Sequence, residues 1–293
     1  MRNGGPFGER LLAATAVRGN LCVGIDPDPD TLDFWRLPDS PEGISTFVGQ
    51  ILRACAQHCA IVKPQSAYYE RHGSAGIAVL EQLCSDAHDM GLLVLLDVKR
   101  GDIGSTNDAY CDAYLKDDSS LKADAITVSP YLGVDSLSTY FDTAQDSDSG
   151  VFVVCRSSNP EGYQTQLART PDGTHESVAD RIVSCVKREN QRRWADIGSI
   201  GIVYGATVVQ PLKQNIGGWI LAPGVGAQGG TPDTVRHALG GGANHVIVPL
   251  SRAIARHSTS VRTLRSHIRD WNAKLSEIVR HCGDRPSRGS ANG

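Results

Sequence analysis

The run Leu92-Leu93-Val94-Leu95-Leu96-Asp97-Val98-Lys99-Arg100-Gly101-Asp102-Ile103 places ionisable side chains directly after five consecutive apolar residues. Such a run fits a strand buried on both faces. Side chains two apart on a strand point the same way, so Asp97 and Lys99 are expected to share a face. Asp102 follows in the loop, before a helix expected to begin near Ser105. An isolated Asp-x-Lys is most often a solvated salt bridge. This one closes a core strand, where a charge is tolerated only when paired and hydrogen-bonded. A lysine held between carboxylates stays protonated, as a fixed ammonium able to donate a proton. Two neighbouring runs repeat the pattern: Ala60-Ile61-Val62 leads into Lys63, and Leu21-Cys22-Val23-Gly24-Ile25 leads into Asp26.

A different chemistry is written further along. The run ending at Leu221 passes into Ala222-Pro223-Gly224-Val225-Gly226-Ala227-Gln228-Gly229-Gly230, and a later one passes into Pro249-Leu250-Ser251-Arg252. Glycines let backbone N–H groups approach a ligand, and an arginine offers a planar bidentate donor. Together they suit an anion, a phosphate above all.

Eight short apolar runs must position these groups: Leu21–Ile25, Ala60–Val62, Leu92–Leu96, Ala125–Val128, Val151–Cys155, Ile200–Val203, Trp219–Leu221 and Val246–Val248. Helical patterns lie between them. In the clearest, Ser40 suits the N-cap and Pro41 the first turn, with Ile44, Phe47, Val48, Ile51, Leu52 and Cys55 on one face. Thr231-Pro232-Asp233 opens another, with Val235, Ala238 and Leu239 on one face and Gly240-Gly241-Gly242 as its stop. Alternation of this kind predicts a parallel sheet, and eight units in this length predict an α/β (β/α)8 TIM barrel, which takes about 250 residues. An open doubly wound sheet would show about six strands and a G-x-G-x-x-G turn after the first. Here the first strand ends Gly24-Ile25-Asp26-Pro27. The barrel is expected over residues 1–282 as one domain, with a long polar loop at 156–175 and a disordered tail at 283–293. The mouth of such a barrel, at the C-terminal ends of the strands, is where active sites sit, and the loops after strands seven and eight commonly hold phosphate.

Composition narrows the ligand. Hydrophobic residues make up 40% and charged residues 21%, which excludes a mostly disordered chain. With 29 basic and 32 acidic residues the net charge is −3, so neither nucleic acid nor an anionic membrane surface is an expected partner. No apolar run approaches the roughly 20 residues needed to span a bilayer, and Leu11–Ala14, flanked by Glu9 and Arg10, does not read as a signal peptide. The eight cysteines are scattered without a C-x-x-C, as buried thiols in a reducing cytoplasm would be. Cys55 and Cys59 lack partners for zinc, and no H-x-x-x-H or H-x-H occurs.

The ordered set Lys63, Asp97-x-Lys99-x-x-Asp102-Ile103, Pro223-Gly-Val-Gly-Ala-Gln228 and Ser251-Arg252 resembles orotidine 5′-phosphate decarboxylase. The strings Lys99-Arg-Gly-Asp-Ile-Gly-Ser-Thr106, Thr127-Val-Ser-Pro-Tyr-Leu-Gly133, Arg156-Ser-Ser-Asn-Pro160 and Gly205-Ala-Thr207 resemble its longer bacterial branch, type 2, and the match spans about residues 7–255. The resemblance implies a homodimeric ribulose-phosphate-type barrel that converts orotidine 5′-monophosphate to UMP and CO2 without metal or organic cofactor. It also implies roles. Lys99 protonates C6 and Asp97 lies beside the substrate carboxylate. Asp102, with Ile103 and Thr106, reaches the neighbouring subunit's site. Asp26 and Lys63 bind ribose hydroxyls, Ser158 the pyrimidine, and Gln228 and Arg252 the phosphate, with Pro223 and Ser251 beside them. Val98 stands where a small residue is common, and no charged group is missing. Two rival readings are a Mg-dependent sugar-phosphate decarboxylase or aldolase of the same barrel group and a non-catalytic nucleotide-phosphate binder.

Overall fold

The computed structural model describes residues 4–171, 175–226, 228–240 and 245–283, with side chains as far as residue 276. Eight parallel strands close into a barrel in chain order: β1 (Leu21–Ile25), β2 (Ile61–Pro64), β3 (Leu93–Arg100), β4 (Ala125–Val128), β5 (Gly150–Arg156), β6 (Ile200–Tyr204), β7 (Ile220–Leu221) and β8 (Val246–Leu250). All eight expected runs are strands, and β8 pairs back onto β1.

Strand alternation sorts the core into two layers. The strands send Cys22, Ile61, Leu95, Ala125, Phe152, Val203, Leu221 and Ile247 into the barrel interior, all buried in one cluster against which Leu93 and Val154 also pack. The alternate positions, among them Val23, Val62, Val94, Leu96, Ile126, Val153, Ile202 and Val248, pack outward against the helices. The helix Phe7–Arg18 closes the N-terminal end of the barrel. Phe7 meets the Phe152 ring edge-on at 6.1 Å, and Trp219 Nε1 donates to the Gly8 carbonyl at 3.0 Å. A Cβ at Gly8 would lie 2.5 Å from the Gly198 carbonyl oxygen, so glycine is what allows this close seating.

The capped helices form as read. Ser40 Oγ accepts from Gly43 N at the head of Pro41–Cys55, and all six apolar positions of its face are buried. Thr231 and Thr234 form a reciprocal cap on Pro232–Leu239, which Gly240 ends at φ +54°. Gly241 and Gly242 lie outside the described residues, as does the 283–293 tail apart from Gly283, which ends the helix Val261–Gly283. The 156–175 segment is not a bare loop: it carries a 3-10 turn at Pro160–Gly162 and a short helix at Tyr163–Gln166.

Candidate active site

Moving two residues along each strand from the sealed interior layer reaches the mouth. From Cys22 the step leads to Gly24, from Ile61 to Lys63, from Leu95 to Asp97 and from Ala125 to Thr127. Thus the fold's period of two, which filled the interior, also aims three polar side chains at one point. Lys63 Nζ lies 2.9 Å from Asp97 Oδ2, and Lys99 Nζ lies 2.6 Å from Asp97 Oδ1. Thr127 Oγ1 donates to Asp97 Oδ1 at 2.8 Å and accepts from Lys99 N at 3.0 Å. Lys63 and Asp97 are both buried, while the Lys99 side chain is half exposed.

The electrostatics follow from this crowding. Burial would push the Asp97 carboxyl up, but the Lys63 and Lys99 ammonium groups outweigh it and hold it well below the usual carboxylate range. Burial would push Lys63 down, but Asp97 and Asp26 reverse the shift and keep it charged. A carboxylate shared by two ammonium groups is a fixed relay that stays ionised at every physiological pH.

Two expectations need correction here. Asp97 and Lys99 do meet, though not through regular strand alternation. The β3–β4 register slips between Leu96 and Arg100, and Lys99 sits at φ +44°. A non-glycine residue in that left-handed region is held there by its surroundings, and such strain collects at functional sites. Within the chain, moreover, Lys99 is not held between Asp97 and Asp102. Asp102 Oδ1 accepts from Ile103 N at 2.8 Å, and buried Asn107 clasps the Asp102 backbone from both sides, at 2.9 and 2.6 Å. Gly101 is pressed so closely on the Ser129 carbonyl that a Cβ would stand 2.3 Å from its oxygen, which fixes where the loop departs. Ile103 and Thr106 are carried outward with it and are exposed.

The remaining expected residues gather in one cavity of about 440 Å³: Asp26, Lys63, Ser158, Pro223, Gln228, Ser251 and Arg252 all line it. Arg252 opens a short helix directly after β8 and makes no ion pair among the described residues, so its guanidinium is available to an anion. Gly24 makes room for it: a Cβ there would lie 2.6 Å from Ser251 Cβ. The glycine loop turns on itself through Gly226 N to Gly230 O and Gly230 N to Gly224 O, at 2.8 and 3.0 Å. Ala227, in its middle, lies outside the described residues. Ser158 is supported by the Gly205–Thr207 turn, where a Cβ on Gly205 would press on Ser158 N at 2.9 Å. Asp26 Oδ1 is buried with no hydrogen-bond partner among the described residues, an open acceptor facing the cavity.

Other site residues were not singled out from the sequence. Gln65 Oε1 accepts from Lys99 Nζ at 3.4 Å, and Thr127 ties Asp97 to the Lys99 backbone. Tyr68, Asp28 and Arg256 line the cavity, with Arg256 paired to Asp28 at 2.6 Å. Gln65, two residues after Lys63, carried a usable signal in its spacing; Thr127 opens one of the resembling strings, but nothing in that string set it against Asp97.

These features define a (β/α)8-barrel protein whose mouth joins a buried lysine–aspartate–lysine relay to an anion-accepting cavity. Residues 19–266 match the family described as orotidine 5′-phosphate decarboxylase / HUMPS. The chain is 47% identical over 254 residues to the orotidine 5′-phosphate decarboxylase of a Nocardioides species, covering 86% of this chain and 92% of that one. It is 43% identical over 263 residues to the Streptomyces coelicolor orotidine 5′-phosphate decarboxylase, covering 89% and 94%. A Streptomyces avermitilis crystal structure superposes with a TM-score of 0.89 at 42% identity, over 94% of this chain and 96% of that one. Leishmania donovani OMP decarboxylase superposes with a TM-score of 0.71 at 25% identity, over 94% and 100%. The chain belongs to the orotidine 5′-phosphate decarboxylase / HUMPS family.

Proposed function

We propose that Lys99 is the acid with which this chain decarboxylates orotidine 5′-monophosphate to UMP and CO2, a step of pyrimidine biosynthesis. The observation that carries the reading is the Lys63–Asp97–Lys99 relay beside a cavity lined by Arg252, which makes no ion pair among the described residues. In the reaction the C6–carboxylate bond breaks, CO2 departs, and its electron pair remains on C6. No organic cofactor is needed as an electron sink if a preorganised cation stands where that charge develops. The Lys99 ammonium supplies that cation and then its proton, forming the C6–H bond of UMP and leaving a neutral amine for solvent to reprotonate. Asp97 orients Lys99 and lies where the substrate carboxylate is brought. Asp26, with its open acceptor, and Lys63 take the ribose hydroxyls; Ser158 takes the pyrimidine; Gln228 and Arg252, with Pro223 and Ser251, take the phosphate. Binding energy from the remote phosphate then aligns the reacting end.

Asp102 makes no ion pair with its own Lys99 among the described residues, and in this reading it completes the site of a second subunit in a homodimer, together with Ile103 and Thr106. Exposed apolar Ile103, Tyr131 and Leu132 on the loops after β3 and β4 support this, and Asn107 joins those loops by donating to the Ser136 carbonyl. Free, buried cysteines support a reducing cytoplasmic setting. A Mg-dependent sugar-phosphate chemistry is not favoured, because both Asp97 oxygens are already engaged by ammonium groups and the relatives at 42–47% identity are orotidine 5′-phosphate decarboxylases. A mere nucleotide-phosphate binder would have no use for Lys99.

The test is to incubate the protein with orotidine 5′-monophosphate and EDTA and follow the loss of substrate absorbance. Wild type consumes substrate, and Lys99→Ala binds UMP without turnover. Near-wild-type turnover by Lys99→Ala, or activity abolished by EDTA, would sink this assignment.

A further inference from the structure

Segment 63–68 leaves β2 and delivers three side chains to the mouth: Lys63 to Asp97, Gln65 to Lys99, and Tyr68 to the cavity wall. Its end is firmly held. Tyr69, fully buried, donates to the Ile25 carbonyl at 3.1 Å, and Tyr68 N bonds the Gln65 carbonyl at 3.2 Å. The Tyr68 ring is half-buried against the core, yet its hydroxyl makes no hydrogen bond among the described residues. Asp26 Oδ1, on the same cavity, also has no partner among the described residues. A donor and an acceptor thus line one cavity without satisfying each other. A ligand that fills both needs a hydroxyl for the carboxylate and an oxygen acceptor for the phenol. A sugar phosphate presents the two side by side.

On the reading that the substrate is orotidine 5′-monophosphate, we propose that the Tyr68 hydroxyl is a further ligand for its 5′-phosphate end, donating to a phosphate oxygen opposite Arg252. The surroundings keep it a donor. Burial and the nearby Asp26 and Asp28 carboxylates push the phenol up, against the smaller opposing pull of Arg252 and Lys63, so the O–H persists at assay pH. A hydrogen bond to a charged group is worth a factor of about ten or more in affinity.

Tyr68→Phe keeps the ring and its packing, so its melting temperature should match wild type. Its Kd for UMP and KM for orotidine 5′-monophosphate should each rise about tenfold or more, with kcat within about twofold. Affinity for uridine and kcat/KM for orotidine, which lack the phosphate, should not move. Equal losses with and without the phosphate would place Tyr68 elsewhere and overturn the assignment, as would unchanged UMP affinity. If wild type binds UMP in a Tyr68-dependent way yet does not decarboxylate, the contact stands and the catalytic reading fails. If wild type binds no UMP, both fail.

Discussion

Lys63→Met isolates what the relay contributes. Methionine keeps most of the stem and removes the ammonium, leaving Asp97 buried and ionised with Lys99 and Thr127 as its remaining side-chain partners among the described residues. Removing one partner of a buried ion pair costs about 3–5 kcal/mol, and the surviving Lys99 contact sets the expectation at the lower end, about 3. For a domain of this size that is a fall in Tm of roughly 5 °C. The pH dependence provides the sharper check. Asp97 has its pKa depressed below the ordinary 3.8, so its contribution is present above that value and lost as pH falls below it. Lys63 has its pKa raised above the ordinary 10.5, so its contribution is present below that value and lost as pH rises past it. Between about pH 5 and 9 neither group changes charge in either state, and the destabilisation by Lys63→Met should be flat. Urea melts of wild type and variant at several pH values give the difference directly. Adding Asp97→Asn should recover more than half of the lost stability, because the stranded charge goes with it. A destabilisation that varies across pH 6–8, or a double variant as weak as the sum of the singles, refutes the account of the relay.

At the other end of the barrel, burial would push the Asp124 carboxyl up, but His88 and Arg10 draw it down to about 2. Its contribution is therefore present above the ordinary carboxylate value and is lost as pH falls toward 2; Asp124→Asn should cost about 3 kcal/mol at pH 7 and nothing near pH 2, measured by denaturant melts. Gly24→Ala should drive a Cβ into Ser251, shift Arg252, and raise KM for orotidine 5′-monophosphate at least tenfold while Lys99-dependent chemistry persists, seen in a kcat against KM split. On the proposed homodimer with Asp102 shared between subunits, mixing equal amounts of Lys99→Ala and Asp102→Asn chains after unfolding and refolding should restore about a quarter of wild-type activity, since half the dimers would be mixed and each would hold one intact site; no recovery would remove Asp102 from a shared site. Burial pushes the Cys84 and Cys155 thiols up to about 12, so a disulfide reagent should label them only on unfolding, followed by absorbance.

The barrel was legible because its strands are short apolar runs at regular spacing, and both caps and faces of the helices at Pro41 and Pro232 follow from residue type alone. Even β7, only two residues long, was marked by Trp219 before it, which is buried among the interior residues. Less legible was anything decided across strands. β3 extends to Arg100, past the expected end at Leu96, because its last residues pair with β4 through a slipped register rather than through apolar burial. Thr127 reads as an ordinary β-branched strand residue, and only the closure of the barrel sets it against Asp97.

The case of Lys99 shows why composition and spacing could name the acid but not describe how it is held. Regular alternation was expected to carry its side chain to the face shared with Asp97, yet the register slips and the residue takes φ +44°. Its backbone N–H is captured by the same threonine hydroxyl that donates to Asp97 Oδ1, and its ammonium donates to that same oxygen, while Lys63 holds Oδ2. One hydroxyl thus fixes both the strained backbone and the anion that orients the amine. A left-handed lysine costs about 1–3 kcal/mol, and it persists because these contacts over-determine it. The half-exposed ammonium is thereby tied to a fixed carboxylate, which is the preorganisation a proton donor that must meet a developing carbanion requires.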